Sequence, residues 1–430
     1  MPQVSVHLRL RLPLLWLALC IGLALFVPDR VWVTLGVGLG GVFAAASLWS
    51  HSLAKHLRGT RHLHFGWVGV GDRLSEQFTL HNNSPFPALW VELQDESNVP
   101  NYQVGVVRSI TAAATETWKQ SAICTRRGQY HLGPWTLRAS DPFGLFLVQI
   151  HYPQQTEIII HPPVNTNLPI RLPAGESSGR ERSRQRAWQA TVNAVTVREY
   201  QPHDPLRLMH WKATARHGEL MVRQFDLDVT GDIWLLPDLD ASAQLGHEVS
   251  GTEEHLIILA ASLAGQAFRL NRKVGVATYG SRPQLLHPAA NQGQQWNILH
   301  ALALAQADGE VSIAAALHDL SRIIQRGAAL LVLTPSSQTD WLPALLPLAQ
   351  KGVHTQVVLL DRPSFGGSGR SLGLQEAVRQ LGFPCDILHQ GELGDAAAAA
   401  ERQGYWEFKV TATGKVITVR DPLSISKQPK

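Results

Sequence analysis

Two uncharged apolar runs, residues 12–27 and 31–49, stand near the start of this 430-residue chain, with only Pro28-Asp29-Arg30 between them. At ~1.5 Å per residue, helices of these lengths span roughly 24–29 Å, close to the ~30 Å hydrocarbon core of a bilayer. So short a linker predicts a transmembrane helical hairpin, and we assign residues 1–58 to a two-helix membrane anchor. A cleaved signal peptide is the alternative for the first run, but no small-residue cleavage site follows it and a second apolar run does.

The basic residues around the two runs predict the orientation of this anchor. Basic side chains flank the hairpin on both sides and one lies in its linker: Arg9, Arg11, Lys55, Arg58 and Arg61 outside it, and Arg30 within. Because positively charged flanks remain on the cytoplasmic side, both ends and everything after residue 50 are expected in the cytoplasm. The three cysteines are scattered and give no disulfide framework, which agrees with a reducing compartment.

Residues 59–165 have the pattern of a β domain. Leu74, Phe78 and Leu80 share one parity, as half-buried strands require. Further strands are expected near residues 116–123, 128–132, 145–150 and 157–161. Short strands separated by turns over roughly 100 residues predict a β-sandwich of immunoglobulin or fibronectin type. We interpret Asp141-Pro142-Phe143-Gly144 as a structural turn at one end of this sandwich, with a partner contact as the alternative.

Residues 166–193 are predicted to be an exposed basic linker. Four arginines lie close together in it: Arg180, Arg182, Arg184 and Arg186. The formal net charge of +4 and the pI of about 9.0 indicate only a mild basic excess. Such an excess favours contact with an anionic partner or an anionic lipid leaflet. Nucleic-acid binding through residues 180–186 is an alternative, but the segment lacks interleaved aromatic side chains. We therefore favour a solvated loop.

The segment 194–228 has the densest polar chemistry in the chain. We expect strands at 194–200 and 220–225 and a short helix at 206–215 between them. Asp204 would cap this helix, with Pro205 at its first position.

The polar residues of this segment allow three interpretations. The residues that we assign to binding are Arg198, Tyr200, Asp204, Arg207, His210, Trp211 and Arg216. In the favoured interpretation, Arg198, Arg207 and Arg216 tie the β domain to the next domain through carboxylates and carbonyls. A partner- or ligand-binding surface is the second. The third is an enzyme site in which His203, Asp204 and His210 form an acid–base pair or hold a metal.

Residues 229–392 alternate buried strands with helices. Strands are expected at 232–237, 274–279, 329–333, 355–360 and 384–388, and helices at 253–270, 294–305, 313–325, 341–351 and 371–381. This alternation predicts an α/β domain with a doubly wound parallel sheet. Residues 393–430 are expected to form a C-terminal hairpin, with strands at 405–410 and 416–420, and a tail.

Two motifs resemble the bacterial "domain of unknown function 58" family. The first is Arg198, Tyr200, Asp204, Arg207, His210-Trp211-Lys212 and Ala215-Arg216, and the second combines residues 126–130, 132–134 and 141–146. The family usually has Gly where this chain has His203. The resemblance covers nearly the whole chain and implies the same order of parts: membrane hairpin, β domain, signature segment and α/β domain. It also implies a functional link to MoxR-type AAA+ ATPases.

The α/β domain is similar in element order to von Willebrand factor type A domains. The resemblance implies a divalent cation held by an Asp-x-Ser-x-Ser loop after the first strand, with a threonine and an aspartate from later loops. The matching residues here are Asp238, Asp240, Ser242 and Thr334, with Asp240 in the place of the first serine. The expected later aspartate is missing from the Thr334-Pro335-Ser336-Ser337 stretch. Oxygen ligands of this kind suit Mg²⁺, but the incomplete set predicts weak binding or none. The alternative is that Asp238 and Asp240 cap or brace the loop at the carboxyl edge of the sheet.

These observations predict a multi-pass protein of the bacterial inner membrane: a transmembrane hairpin, then a β-sandwich, then a type A-like doubly wound sheet. We expect a non-enzymatic scaffold or adaptor that binds a partner protein, with a MoxR-type AAA+ ATPase as that partner. An enzyme with a site in residues 198–216 is the alternative. The sequence contains no phosphate-binding loop, dinucleotide fingerprint or zinc-protease motif.

Overall fold

The computed structural model describes residues 2–27, 29–63, 68–102, 104–166, 168–173, 194–199, 209–225, 231–246, 248–393, 407–410 and 416–420. Two apolar helices, α1 (Leu12–Phe26) and α2 (Arg30–His56), pack against each other near the N-terminus. Asp29 starts α2, because its carboxylate accepts a hydrogen bond of 3.0 Å from the amide of Val31. By length and composition, α2 qualifies as a membrane-crossing helix, whereas α1 is a shorter apolar helix. One candidate membrane helix is thus present where the sequence predicts two.

A strand precedes α1 that the sequence analysis did not anticipate. Residues Gln3–Leu8 form β1, which pairs antiparallel with Phe146–Tyr152, the tenth strand of the chain (β10). The register places Leu8 opposite Phe146 and Gln3 opposite His151. The start of the chain, which the sequence analysis grouped with the anchor, is therefore an edge strand of the β-rich part.

The described residues between 3 and 161 form eleven strands in three sheets. After β1 they are β2 (Leu57–Leu63), β3 (Val68–Gly69), β4 (Arg73–Asn82), β5 (Ala88–Asp95), β6 (Gly105–Ile110), β7 (Ala114–Ile123), β8 (Gly128–Leu132), β9 (Trp135–Ser140), β10 and β11 (Thr156–His161). The sheets have the orders β1-β10-β9-β5-β6, β2-β4-β7 and β3-β11-β8. Phe78 of β4 contacts Trp135 of β9 edge-on at 5.8 Å between ring centroids, so the first two sheets pack face to face.

An ion network lies inside this β-rich part. Arg61 of β2 donates to Glu76 of β4 at 2.9 Å and to Asp95 of β5 at 3.1 Å. The hydroxyl of Tyr102 donates to Glu76 at 2.5 Å. Both carboxylates are almost completely buried, so the guanidinium supplies the positive charge that they require. Arg61 is therefore mostly buried, and the exposed basic residues around the end of α2 are Lys55 and Arg58.

The signature segment contains two paired strands and a short helix. Strand β12 (Ala194–Glu199) pairs antiparallel with β13 (Met221–Phe225), and α3 (Trp211–His217) lies between them along the chain. The prediction of a helix at 206–215 is wrong in its start, because α3 begins after His210, whose ring accepts from the amide of Ala213 at 3.0 Å. The proposed cap at Asp204 lies outside the described residues.

The second half of the described chain forms a six-stranded mixed sheet with five helices. The strands are β14 (Ile233–Pro237), β15 (Val274–Thr278), β16 (Gln284–Ala289), β17 (Ala329–Thr334), β18 (His354–Leu360) and β19 (Cys385–Leu388). The helices are α4 (Thr252–Arg269), α5 (Gln292–Leu304), α6 (Ile313–Ile323), α7 (Leu346–Gln350) and α8 (Ser371–Gln380). The order is β16-β15-β14-β17-β18-β19, and β16 runs antiparallel to β15. The predicted all-parallel sheet thus gains an antiparallel edge strand that the sequence analysis missed.

Helices cover both faces of this sheet. Leu235 on one face packs in the core that contains α4 and α5, and Leu236 on the other face packs with α6, α7 and α8. Strands buried on both faces are continuous apolar runs, which is why their positions were predicted within two residues. Near the C-terminus, β20 (Glu407–Val410) pairs antiparallel with β21 (Val416–Arg420).

The guanidinium of Arg127 joins the β-rich part to the α/β domain. It lies 2.8 Å from the carboxylate of Glu253 and 2.9 Å from that of Glu254, both in the first turn of α4. It also donates to the carbonyl of Ala305, at the end of α5, at 2.7 Å. The side chain is only 5% exposed. The sequence analysis assigned this tie to Arg198, Arg207 and Arg216.

A buried histidine lies at the same contact between domains. His161, at the end of β11, donates through Nδ1 to the carbonyl of Val68 at 3.2 Å and faces the ring of His300 on α5 at 6.4 Å. Burial lowers the pKa of His161 from 6.5 to about 4, and the neighbouring His300 adds to this effect in the same direction. The ring is therefore neutral at pH 7.

Replacement of Arg127 by methionine is expected to destabilise the full chain by roughly 3–5 kcal/mol, because it leaves the buried Glu254 without its nearest counter-charge. Arg73→Met is the matched control: that side chain is exposed on β4, so we expect a change within about 0.5 kcal/mol. Denaturant unfolding of the detergent-solubilised variants measures both. Equal stability of the two variants would contradict the role of Arg127.

The contribution of His161 to the stability of the chain is expected to fall as the pH drops from 6.5 towards 4. Since the folded-state pKa of His161 is lowered, its contribution is complete above pH 6.5 and is lost as the ring is forced to protonate. A shift of this size corresponds to roughly 3 kcal/mol. His161→Asn, which keeps a donor near Nδ1, should remove this contribution, so that the difference in unfolding free energy between the wild type and this variant changes between pH 6.5 and 4. For His62→Asn, at an exposed position of β2, that difference should stay constant. Parallel profiles for the wild type and His161→Asn would refute this assignment.

Candidate functional site

The carboxyl edge of the six-stranded sheet contains the switch point of its topology. The chain runs from β14 to β15 on one side and then returns to β17, β18 and β19 on the other. Loops diverge at such a point, and ligands of open α/β sheets bind there. Asp238 follows β14 directly, and Thr334 is the last residue of the neighbouring β17.

Asp238 and Thr334 meet at this edge. The Thr334 hydroxyl donates to Asp238 Oδ2 at 2.5 Å, and the amide of Asp240 donates to Oδ1 at 3.2 Å. Asp238 is only 3% exposed. Burial raises the pKa of this carboxyl group to about 6, against the opposing effect of its two hydrogen bonds, and the charge of Asp240 raises it further. Among the described residues, no cationic side chain lowers the pKa of this buried carboxyl group.

Asp240 and Ser242 form the outer part of the same loop. The amide and the hydroxyl of Ser242 donate to Asp240 Oδ1 at 2.9 and 2.7 Å, which starts the 3₁₀ turn Ala241–Ala243. Gln244 also stabilises the loop, since its side-chain Nε2 donates to the backbone carbonyl of Asp238 at 2.8 Å. The structure thus brings together all four residues predicted for a cation site, in the two pairs Asp238–Thr334 and Asp240–Ser242.

A small recess of about 90 Å³ opens between these loops. Ser336, Ser337 and Asp340 line its other side, so carboxylates and hydroxyls surround it. Pockets that bind small molecules typically have volumes of about 300–1,000 Å³. The recess therefore suits an ion or the tip of a side chain, and is too small to enclose a metabolite.

Arg362 braces the loops around the recess, a role that the sequence analysis missed. Its Nη1 donates to the carbonyl of Ala243 at 2.7 Å and to that of Pro335 at 3.0 Å. Its Nε donates to the carbonyl of Ser368 at 3.2 Å. The loops after β14, β17 and β18 are thereby held together. The one available signal was the position of Arg362 two residues after a predicted parallel strand, at the same edge of the sheet.

The donor set fits a hard cation in kind. Carboxylate and hydroxyl oxygens of the four residues match the preference of Mg²⁺ for oxygen ligands. The described residues contain no group of three or more His, Cys, Asp or Glu side chains arranged to hold a metal. Two carboxylates and two hydroxyls leave positions that water or a partner's carboxylate would fill.

The residues assigned to binding in the signature segment are distributed differently. His210 caps α3 through Nδ1, and Trp211, the first residue of α3, is 67% exposed. Arg216 also lies exposed on α3, so it is not the buried tie between domains. Tyr200, Asp204 and Arg207 lie outside the described residues, as does the side chain of Arg198. The arginines at 180–186 are outside them too.

Comparisons with known proteins agree with the motifs. Residues 196–363 match the family model described as "Protein of unknown function DUF58". The "Uncharacterized protein YeaD" of Bacillus subtilis (strain 168) is 23% identical over 303 residues, which cover 68% of this chain and 73% of that protein.

Solved structures match more weakly. The crystal structure of the conserved hypothetical protein BatB from Bacteroides thetaiotaomicron has a TM-score of 0.32 and 15% identity, over 39% of this chain and 95% of that one. Proximal thread matrix protein 1 from the mussel byssus has a TM-score of 0.29 and 11% identity, over 40% of this chain and 46% of that one. Scores this low carry no argument about fold or function. The family match and the Bacillus relative confirm the resemblance seen in the motifs: residues 196–363 of this chain match the DUF58 family of proteins of unknown function.

Proposed function

We propose that this chain is a membrane-anchored, non-enzymatic scaffold that binds a partner protein at the carboxyl edge of its six-stranded sheet. The observation that carries the proposal is the recess of about 90 Å³ with its rigid rim. Asp238, Asp240 and Ser242 form one side of that rim, and Arg362 fixes the loops around it. A fixed polar surface of this kind suits recognition of a protein side chain better than conversion of an enclosed substrate.

The likeness to von Willebrand factor type A domains is part of this proposal. It is supported by the order of elements and by the position of Asp238 and Thr334 at the switch point of the sheet. In this interpretation, a divalent cation bridges the loop oxygens to a carboxylate of the partner. The family resemblance gives the partner as a MoxR-type AAA+ ATPase, and the recess is its docking point.

We further propose that α1 and α2 form a hairpin in the bacterial inner membrane and that the rest of the chain lies in the cytoplasm. Strand β1 before α1 and strand β2 after α2 both belong to the β-rich part. The two helices therefore leave and re-enter the same folded body. A hairpin of this kind crosses the membrane twice, once in each direction. The exposed basic residues near that body, among them Arg9, Arg11 and Lys55, favour the cytoplasmic side.

Charge reversal at the recess is expected to weaken the complex with the ATPase. Asp240→Lys places a positive charge where the proposal requires a negative one, and we expect a tenfold or greater loss of affinity, which is about 1.4 kcal/mol or more. The measurement is the affinity between the full chain in detergent and the purified ATPase. Asp319→Lys, at an exposed position on α6, is the matched control and should bind like the wild type. Equal binding by both variants contradicts docking at the recess.

If a cation bridges the partner, binding should require Mg²⁺. A chelator is then expected to release the ATPase from the wild type, and excess Mg²⁺ should restore the complex. Asp238→Asn removes a ligand charge and should make the residual binding insensitive to both additions. A complex that survives the chelator and is still lost in Asp240→Lys indicates direct contact with a basic side chain of the partner.

A further inference from the structure

The turn between β9 and β10 lies at the root of the helical hairpin. Residues 141–145 form this turn, and the carbonyl of Leu145 accepts hydrogen bonds from the amides of Arg9 at 2.7 Å and Leu10 at 3.4 Å. Arg9 and Leu10 belong to the short link between β1 and α1. The turn is therefore fixed beside the point where the first apolar helix leaves the β-rich part.

The hydrogen bonds of Asp141 explain the conformation of this turn. They do not explain why an apolar side chain, Phe143, is exposed on it. Asp141 is buried, and its carboxylate accepts from the amides of Phe143 at 2.9 Å and Phe146 at 2.7 Å. Gly144 completes the turn with a φ of +68°, which a glycine adopts without strain. Phe143 itself is 52% exposed and points away from the core. The turn therefore holds an exposed aromatic ring in a fixed position.

The parts of the two helices that extend beyond this turn are shorter than the hydrocarbon core of a bilayer. Helix α1 has 15 residues and is about 22 Å long. In α2, the ring of Phe43 already contacts that of Phe146, the first residue of β10, edge-on at 6.5 Å. Only residues 30–43 of α2, about 20 Å, therefore extend beyond the β-rich part. Both lengths fall about 8–10 Å short of the ~30 Å hydrocarbon core.

The charged tip of the hairpin makes this shortfall important. Asp29 and Arg30 are exposed there, and ionised side chains are costly inside hydrocarbon. For the tip to reach the far headgroups, the near leaflet must thin or the base of the hairpin must enter the near interface. The residues at that base are Leu10, Leu12 and Phe143, and all three are exposed apolar side chains.

We propose that Phe143 is an interfacial anchor: the turn at 141–145 and the adjoining Leu10 sit in the headgroup–acyl boundary of the cytoplasmic leaflet. This inference rests on the proposed membrane hairpin. The occupant of the surface is lipid, because exposed apolar side chains continue from Leu10 and Leu12 along α1 at Leu14, Leu15, Trp16 and Leu19. Arg9 and Arg11 are exposed on either side of Leu10, and they favour anionic headgroups at this level.

Depth-dependent quenching tests the inference on the full chain. Phe143→Cys is labelled with an environment-sensitive fluorophore and the protein is reconstituted into vesicles of phosphatidylglycerol and phosphatidylethanolamine with brominated lipids. The native cysteines Cys20, Cys124 and Cys385 are buried, so the introduced thiol is the accessible one. The matched control is Leu372→Cys, since Leu372 is a 74% exposed apolar residue on α8 in the other domain.

The expected result is strong quenching of the label at 143 by lipids brominated near the top of the acyl chain. The label at 372 should instead respond to aqueous iodide. Iodide quenching at 143 equal to that at 372, without lipid quenching, would overturn the inference. Protection at 143 from both quenchers would also overturn it, since a protein or a second copy would then cover the turn.

A third label separates this inference from the anchor on which it rests. Val37→Cys lies in the middle of the exposed part of α2 and should be quenched by lipids brominated deep in the chain. Lipid quenching at 37 without quenching at 143 removes the interfacial anchor and leaves the hairpin intact. No lipid quenching at 37 removes both.

Discussion

The buried guanidinium of Arg127 connects the two halves of the molecule, and its partners connect it in turn to the candidate site. Glu253 and Glu254, which it neutralises, follow Thr252 in the first turn of α4. The Thr252 hydroxyl donates to the side chain of Gln244 at 2.8 Å. Gln244 then donates to the carbonyl of Asp238 at 2.8 Å. Three successive polar contacts, joined by the covalent step from Glu253 to Thr252, thus run from the contact between domains to the recess. They connect Arg127 physically with the loop that carries Asp238 and Asp240.

The helical hairpin is also fixed to the β-rich part by packing and by a hydrogen bond. Leu53, Ala54 and Leu57, at the end of α2, belong to the core of the β-rich part. Trp49 stacks on Phe86 at 4.7 Å, and its indole nitrogen donates to the carbonyl of Pro87 at 3.1 Å. Together with β1, these contacts make α2 an extension of the folded body and not a flexible tether.

The predictability of each part from sequence depended on how local its signals are. Buried strands such as β14, β17 and β18 are continuous apolar runs, and they and the helices α4, α5, α6 and α8 were predicted within two residues. The helix predicted at 341–351 is wrong in its first half, because residues Leu342–Leu345 form a 3₁₀ turn and α7 covers only Leu346–Gln350. Strand β16 pairs on one side only and has a weak alternating pattern, and it was missed. Helix α3 was placed too early because the proline at 205 is a strong start signal, whereas the cap in the structure is His210.

Long-range contacts left no such signal. The four residues of the candidate site were predicted through the resemblance to type A domains. The parallel pairing of β14 with β17 explains why Asp238 and Thr334 meet, since carboxyl ends of parallel strands lie at one edge. Arg127 belongs to the second motif of the sequence analysis, at residues 126–130, but nothing near it indicates that it is buried. Its partners Glu253 and Ala305 lie 126 and 178 positions further along the chain. The same separation hides β1, which pairs with residues more than 130 positions away.

The pairing of β1 with β10 also orders the events of synthesis. Residues 3–8 are made before both apolar helices, yet their partner strand at 146–152 is made long after these helices are complete. Strand β1 can therefore be hydrogen-bonded only late, and the five-stranded sheet closes only if β1 has stayed within its reach. A leader fused ahead of Gln3 that carried this strand across the membrane would leave β10 with an open edge, where another chain could pair.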